Sequence, residues 1–207
     1  MIAALISAAP DLALGISYFI TWISPGALGT RSFGYLLLMM LLEFLVIHSS
    51  AFMGVIIVAG PASRVKRTLS VVGLGVFYSV FIVGFAAIFQ QWWPITAFWL
   101  LILNRLTPVL LGTRLTSEQT TAQSVGWAAS VGLYLLWAFA TTLLPVPHLG
   151  VTADVIAANK LPGEGLWVDE PYRVIAFGAL YFTSQGAVEI LGAWGARRRR
   201  RVDPAIV

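Results

Sequence analysis

Residues 34–59 read GYLLLMMLLEFLVIHSSAFMGVIIVA. The run is longer than the roughly 20 residues that an α-helix needs to cross a hydrocarbon core, and that length decides the fold class. Glu43, His48, Ser49 and Ser50 interrupt its middle. An ionisable group held there against lipid costs several kcal/mol, with estimates from about 2.5 to well above 10. Such residues are expected to face protein or enclosed water.

The same character extends outward from this run. Hydrophobic residues make up 58% of the 207 residues and charged ones 11%, too few charges to coat a water-soluble globule of this size. Further apolar segments occupy residues 2–23, 68–89, 95–112, 122–144 and 171–194. The sequence therefore predicts an all-α integral membrane protein, a bundle of about six transmembrane helices. One helical domain is expected over residues 1–196, with an outer loop at 145–170 and a basic tail at 197–207. Pro10 and Asp11 interrupt the first segment. Proline removes a backbone donor, so residues 2–23 are expected as a kinked span or as a surface helix followed by a shorter crossing. The N-terminal segment lacks a basic signal region and is expected to be retained.

Orientation follows from the positions of Lys and Arg. Arg64, Lys66 and Arg67 lie between the second and third spans, Arg114 between the fourth and fifth, and Arg197, Arg198, Arg199, Arg200 and Arg201 after the sixth. Arg31, Lys160 and Arg173 fall on the opposite side, and Arg105 is set aside within a span. Nine against three predicts that both termini are cytoplasmic, in a plasma or inner membrane. Trp22, Trp92, Trp93, Trp167 and Tyr172 then cluster near outer helix ends, and Trp127 and Trp194 near inner ones.

Local signals mark several helix ends. Asp169 and Glu170 precede Pro171, as at a helix start where acids meet the positive end of the dipole. Thr116 and Gln119 have capping-box spacing before the fifth span, and Pro145 and Pro147 end it. Within the outer loop, VTADVIAANK, residues 151–160, is expected as a short interfacial helix. Ser50 with Gly54, Gly75 with Ser79, and Gly126 with Ser130 have the spacing that lets membrane helices approach closely.

The mid-span polar residues are the candidate site. Glu43 and His48 lie within about two turns of the centre of their span but about 140° apart around it, whereas Glu43 and Ser50 are nearly eclipsed. Their helix thus has polar groups on two flanks. Asn104 and Arg105 sit near the middle of the fourth span, and Pro108 frees the carbonyl near Asn104. The sixth span contributes Thr183, Ser184 and Gln185 at mid-depth and Glu189 nearer the cytoplasm. Arg105 and Glu189 are expected at similar heights and are read as an ion pair, with substrate or ion binding and snorkelling of Arg105 as alternatives. Glu43 is a proton or cation site or a hydrogen-bonding partner of a neighbouring helix. His48 is a hydrogen-bonded core histidine, an axial ligand of a haem or chlorin, or a proton relay with Glu43.

Enzyme classes lose support one by one. There is no cysteine, which removes disulfides, thiolate metal sites and thiol nucleophiles. TSQGA, residues 183–187, is not a nucleophile elbow, no HExxH motif occurs, and there is no P-loop or dinucleotide fingerprint. His148 with Asp154, Glu164, Asp169 or Glu170 has no regular metal spacing. The arginine run anchors topology and is a candidate contact for anionic lipid headgroups, rather than nucleic acid.

Two function classes follow, with a third beside them. One is a small transporter or ion- or proton-conducting protein with Glu43, His48, Asn104, Arg105, Gln185 and Glu189 around a mid-membrane site. Another is a non-catalytic subunit of a larger membrane complex, or a homo-oligomer, in which those groups lock helices together. A haem or pigment protein using His48 is the third. The partners expected are the bilayer itself and other membrane proteins; the residues leave the cofactor unspecified.

Overall fold

The computed structural model describes residues 2–29, 31–59, 63–112 and 116–202, with Ala3, Pro108 and residues 195–202 as backbone alone. Among the described residues eight helices follow one another: α1 (Ile2–Ile23), α2 (Ser32–Ala59), α3 (Arg64–Phe89), α4 (Trp93–Leu111), α5 (Ser117–Leu143), α6 (Ala153–Asn159), α7 (Leu166–Asp169) and α8 (Pro171–Val202). Among the described residues there is no strand. Six of these described helices are long and apolar enough to cross a membrane, over Ala4–Ile23, Ser32–Ala59, Arg64–Phe89, Trp93–Leu111, Ser117–Leu143 and Pro171–Trp194. The chain thus has the character of a multi-pass membrane protein. Pro10 lies inside α1, which runs as one helix from Ile2 to Ile23 rather than as two pieces. The arginine run likewise continues α8 through Val202, as straight-chain cations at a helix C-terminus allow. Arg114 lies outside the described residues.

The chain sorts into two compact units, Met1–Leu36 with Gly132–Val207, and Leu37–Val131. In the first, α1 packs along α8. Small residues make this contact close. A side chain at Gly15 would meet Thr183, one at Gly178 would meet the ring of Tyr18, and one at Gly186 would meet Leu12. Tyr18 is fully buried, stacks on Phe182 with ring centroids 5.6 Å apart, and donates its hydroxyl to the Leu36 carbonyl at 2.5 Å. Within a bilayer the hydrophobic effect does not drive helices together, so this close van der Waals contact has to supply the attraction.

The same unit carries the connection between α5 and α8. Trp22 Nε1 donates to the Pro147 carbonyl at 2.9 Å, and the Gly150 amide donates back to the Trp22 carbonyl at 3.0 Å. A side chain at Gly150 would strike the Ile23 carbonyl, so only glycine lets the connection lie so close to the end of α1. Thr152 caps the short helix α6, accepting from the Val155 amide at 3.5 Å. Pro171 opens α8 as its first residue, where its missing N–H leaves no bond unmade. Arg173 fastens the two long helices, donating to the carbonyls of Thr141, Thr142 and Leu144 at 2.8, 3.3 and 3.0 Å. A cation there satisfies the orphan carbonyls and the negative dipole end of α5. Arg173 also pairs with Glu170, which accepts the Tyr172 hydroxyl at 2.5 Å. These hydrogen bonds, from Tyr172 and then from Arg173, hold the Glu170 carboxyl below its ordinary value.

In the second unit α3 packs on α4. Val71, Tyr78 and Ile82 of α3 and Phe98, Ile102 and Leu106 of α4 recur at helical spacing and close a core with Leu42, Leu45 and Met53 of α2. Gly75 is where α3 admits Ile102 and Trp99. Side chains at Gly54 and Gly126 would meet open space, so of the three small-residue pairs only the one at Gly75 has its glycine against another helix. Arg64, in the first turn of α3, donates to the Leu110 carbonyl at 3.2 Å near the end of α4, the favourable place for a cation on a helix dipole. At the start of α5, the Thr116 amide donates to Gln119 Oε1 at 2.9 Å and the Gln119 amide to Thr116 Oγ1 at 3.2 Å. That reciprocal pair is a capping box.

Candidate functional site

The second unit holds four of the expected site residues. Arg105, half-buried on α4, donates from Nη2 to Ser50 Oγ of α2 at 2.7 Å. The Ser50 hydroxyl donates onward to the Val46 carbonyl. Arg105 Nε is buried and has no hydrogen-bond partner. A guanidinium carries five N–H donors and keeps its charge, so a neutral hydroxyl leaves both charge and donors to spare. Glu43 lies half-buried two turns before Ser50 on α2. Helix α4 continues through residue 108, and Asn104 is exposed beside Arg105.

His48 is also exposed. Its Nδ1 shares a hydrogen bond of 2.6 Å with the Tyr78 hydroxyl of α3. Phe44 and Phe52, one turn to either side, flank the imidazole with centroids at 5.9 and 5.2 Å. The Tyr78 bond fixes the ring, and a ligand-binding role would fall to Nε2. Trp127, expected near an inner helix end, donates its indole N–H to the Ile47 carbonyl at 3.0 Å, in the middle of α2.

The first unit holds the other two. Gln185 Nε2 donates to the buried Tyr181 hydroxyl at 3.1 Å. One turn away, Trp137 Nε1 donates to Ser184 Oγ at 3.0 Å, linking α5 to α8. Glu189 accepts the Ser7 hydroxyl of α1 and lies within electrostatic reach of Asp11. Arg105 and Glu189 thus belong to different units, and each takes a serine from its own. Among the described residues the ion pair formed is Arg173 with Glu170.

Tyr78, Ser7 and Asp11 are the residues that the spacing of polar groups did not single out as partners. Ser7 and Asp11 do stand one helical turn apart on α1, a signal available in the sequence. Tyr78 gives none, because a tyrosine in an apolar helix has the same pattern whether or not it bonds. His148, in the outer connection, stacks on Tyr172 with centroids 3.9 Å apart. Among the described residues no group of three His, Cys, Asp or Glu side chains is placed to hold a metal. The five arginines after residue 196 are described as backbone only.

No protein-family model, curated protein or solved structure matches the chain.

Proposed function

We propose that the chain is a small multi-pass transporter or ion- or proton-conducting protein of a plasma or inner membrane, both termini cytoplasmic, with Arg105 at its charged centre. The observation that carries this reading is the Arg105 guanidinium: half-buried in an apolar helix, bonded to a neutral serine, and with a buried Nε left unsatisfied. A cation of that kind is costly in a bilayer unless water or a passing charge compensates it. A register-setting arginine would be expected to have its donors filled by fixed partners. Glu43, His48 and Asn104 lie on the same unit as Arg105, whereas Gln185 and Glu189 lie on the other unit. The asymmetry of Lys and Arg supports the orientation.

The test is flux. Purified protein in liposomes is given a pH gradient or a membrane potential, and proton and anion movement are followed in wild type, Glu43→Gln and Arg105→Ala. Loss of flux in both variants, with folding intact, supports the site; full flux in both removes it.

One observation favours a second reading, as a subunit of a larger membrane complex or a homo-oligomer. His48 and Asn104 are exposed within spanning helices, and lipid cannot satisfy His48 Nε2 or the Asn104 amide. A partner helix would. Stoichiometric co-purification with another membrane protein, and absence of flux in every preparation, would favour that reading. A visible absorption band in the purified material would instead point to a haem or chlorin on His48.

A further inference from the structure

We propose that the groove between the C-terminal half of α1 and the first turn of α2 binds one anionic phospholipid, its phosphate on Arg31 and an acyl chain along Leu14, Leu28 and Leu36. The groove has a volume of about 400 Å³, within the roughly 300–1,000 Å³ of small-molecule sites. Its lining is amphipathic, with its one cation at the end formed by the α1–α2 connection. Arg31 supplies a cation, Ser17, Ser32 and Tyr35 supply hydroxyls, the three leucines supply apolar wall, and no lining side chain is acidic.

The groove follows the helix axes from the α1–α2 connection inward. Arg31 immediately precedes α2, while Leu14 is well inside α1, which ends at Ile23. At 1.5 Å per residue that places Leu14 roughly 14 Å below the helix end, close to the half-thickness of a hydrocarbon core, about 15 Å. In a bilayer crossed by α1 and α2 the charge stands at headgroup level with Leu28 beside it, and Leu36 and then Leu14 lie deeper. A free phosphate would use the rim and leave the leucines uncovered; a single lipid uses both.

The walls are held by the fold rather than by a ligand. The Tyr18 hydroxyl ties α1 to the Leu36 carbonyl at 2.5 Å, and Ser32 Oγ donates to the Gly29 carbonyl at 2.7 Å. Gly29 itself has φ of 99°, a conformation that favours glycine and sets the turn presenting Arg31. Arg31 is exposed, and the ion pair formed among the described residues belongs to Arg173 and Glu170. Its charge is thus available to a phosphate, with which an arginine makes bidentate, charge-assisted bonds.

The full chain, delipidated in detergent, is titrated with phosphatidylglycerol, phosphatidylcholine or inorganic phosphate, and followed by native mass spectrometry and thermal unfolding. One retained phosphatidylglycerol per chain and a raised melting temperature are expected, with weaker retention of phosphatidylcholine and no effect of inorganic phosphate. Arg31→Gln should weaken retention about fivefold, the effect of one basic residue at a lipid surface. Leu28→Asn, in an exposed turn, should weaken it without touching the cation. A variant with Arg197 and Arg198 changed to Gln should keep that lipid, separating the groove from the basic end of α8. Wild-type retention in both Arg31→Gln and Leu28→Asn overturns the proposal. So does equal stabilisation by inorganic phosphate, which would make the rim a simple anion site, or by phosphatidylcholine, which would remove the charge preference. None of these outcomes depends on flux.

Discussion

The spanning helices associate by different means within each of the two units, although all are long and apolar enough to cross a membrane. In the unit of α1 and α8, glycines bring backbones together and one tyrosine fills the contact; half of the spanning window of α8 is buried, against 28% for α3 and 29% for α4. In the unit of α3 and α4, large side chains interlock, and the polar groups sit at the margin of that core. Hydrophobicity alone distinguishes nothing here, because lipid tails are as apolar as leucine. What differs is the supply of close contact and of buried hydrogen bonds. The first unit is joined by backbone-level contact, whereas the second carries a half-satisfied cation.

The contrast is broken most sharply at Gly178. Even a Cβ there overlaps the Tyr18 ring, so Gly178→Leu should cost about 3 kcal/mol of stability, the upper end of typical overpacking. Gly54→Ala, with open space around it, should stay within about 0.5 kcal/mol. Thermal unfolding in one detergent compares them, and equal losses would end the distinction between glycines that pack and glycines that do not. Within the second unit, Ser50→Ala removes the acceptor of Arg105 Nη2 and should destabilise by about 1.5–3 kcal/mol, the range for hydrogen bonds to charged groups. Tyr78→Phe removes only the bond to His48 and should cost about 0.5–1 kcal/mol, as for interhelical hydrogen bonds in membranes; steric-trap or thermal unfolding measures both.

The smallest effect is expected at the surface knot of the first unit. Glu170 has its carboxyl lowered in the folded chain, so the stabilisation it gives is fully present above the ordinary glutamate value of 4.5 and is lost as pH falls through the lowered folded value. Glu170→Gln should flatten that acid-side fall in melting temperature while leaving the neutral range nearly unchanged. A wild-type slope retained in Glu170→Gln would assign the acid sensitivity elsewhere.

The spans were legible because length and apolarity act locally. Ile2–Ile23 is the helix expected, without the break that Pro10 suggested; neighbouring helices and local backbone adjustment can absorb a proline inside a span. The capping box of Thr116 and Gln119, the stop before Pro145 and the start at Pro171 are also local, and all were readable. Partners were not. Gly15, Gly178 and Gly186 pack because of what lies opposite, and a one-dimensional pattern does not name the opposite helix. Gly54 and Gly126 have the same spacing signal and meet nothing. The polar positions of the candidate site were visible as interruptions of apolar runs, yet Ser50 as the partner of Arg105 and Tyr78 as that of His48 depend on tertiary contact.

Arg105→Met is the most direct trial of the account. Replacing a half-satisfied buried cation by an apolar side chain of similar length relieves its desolvation, so melting temperature should hold or rise while flux across liposomes disappears. A lowered melting temperature with flux intact would show that the guanidinium serves to hold helices together and not to meet a passing charge.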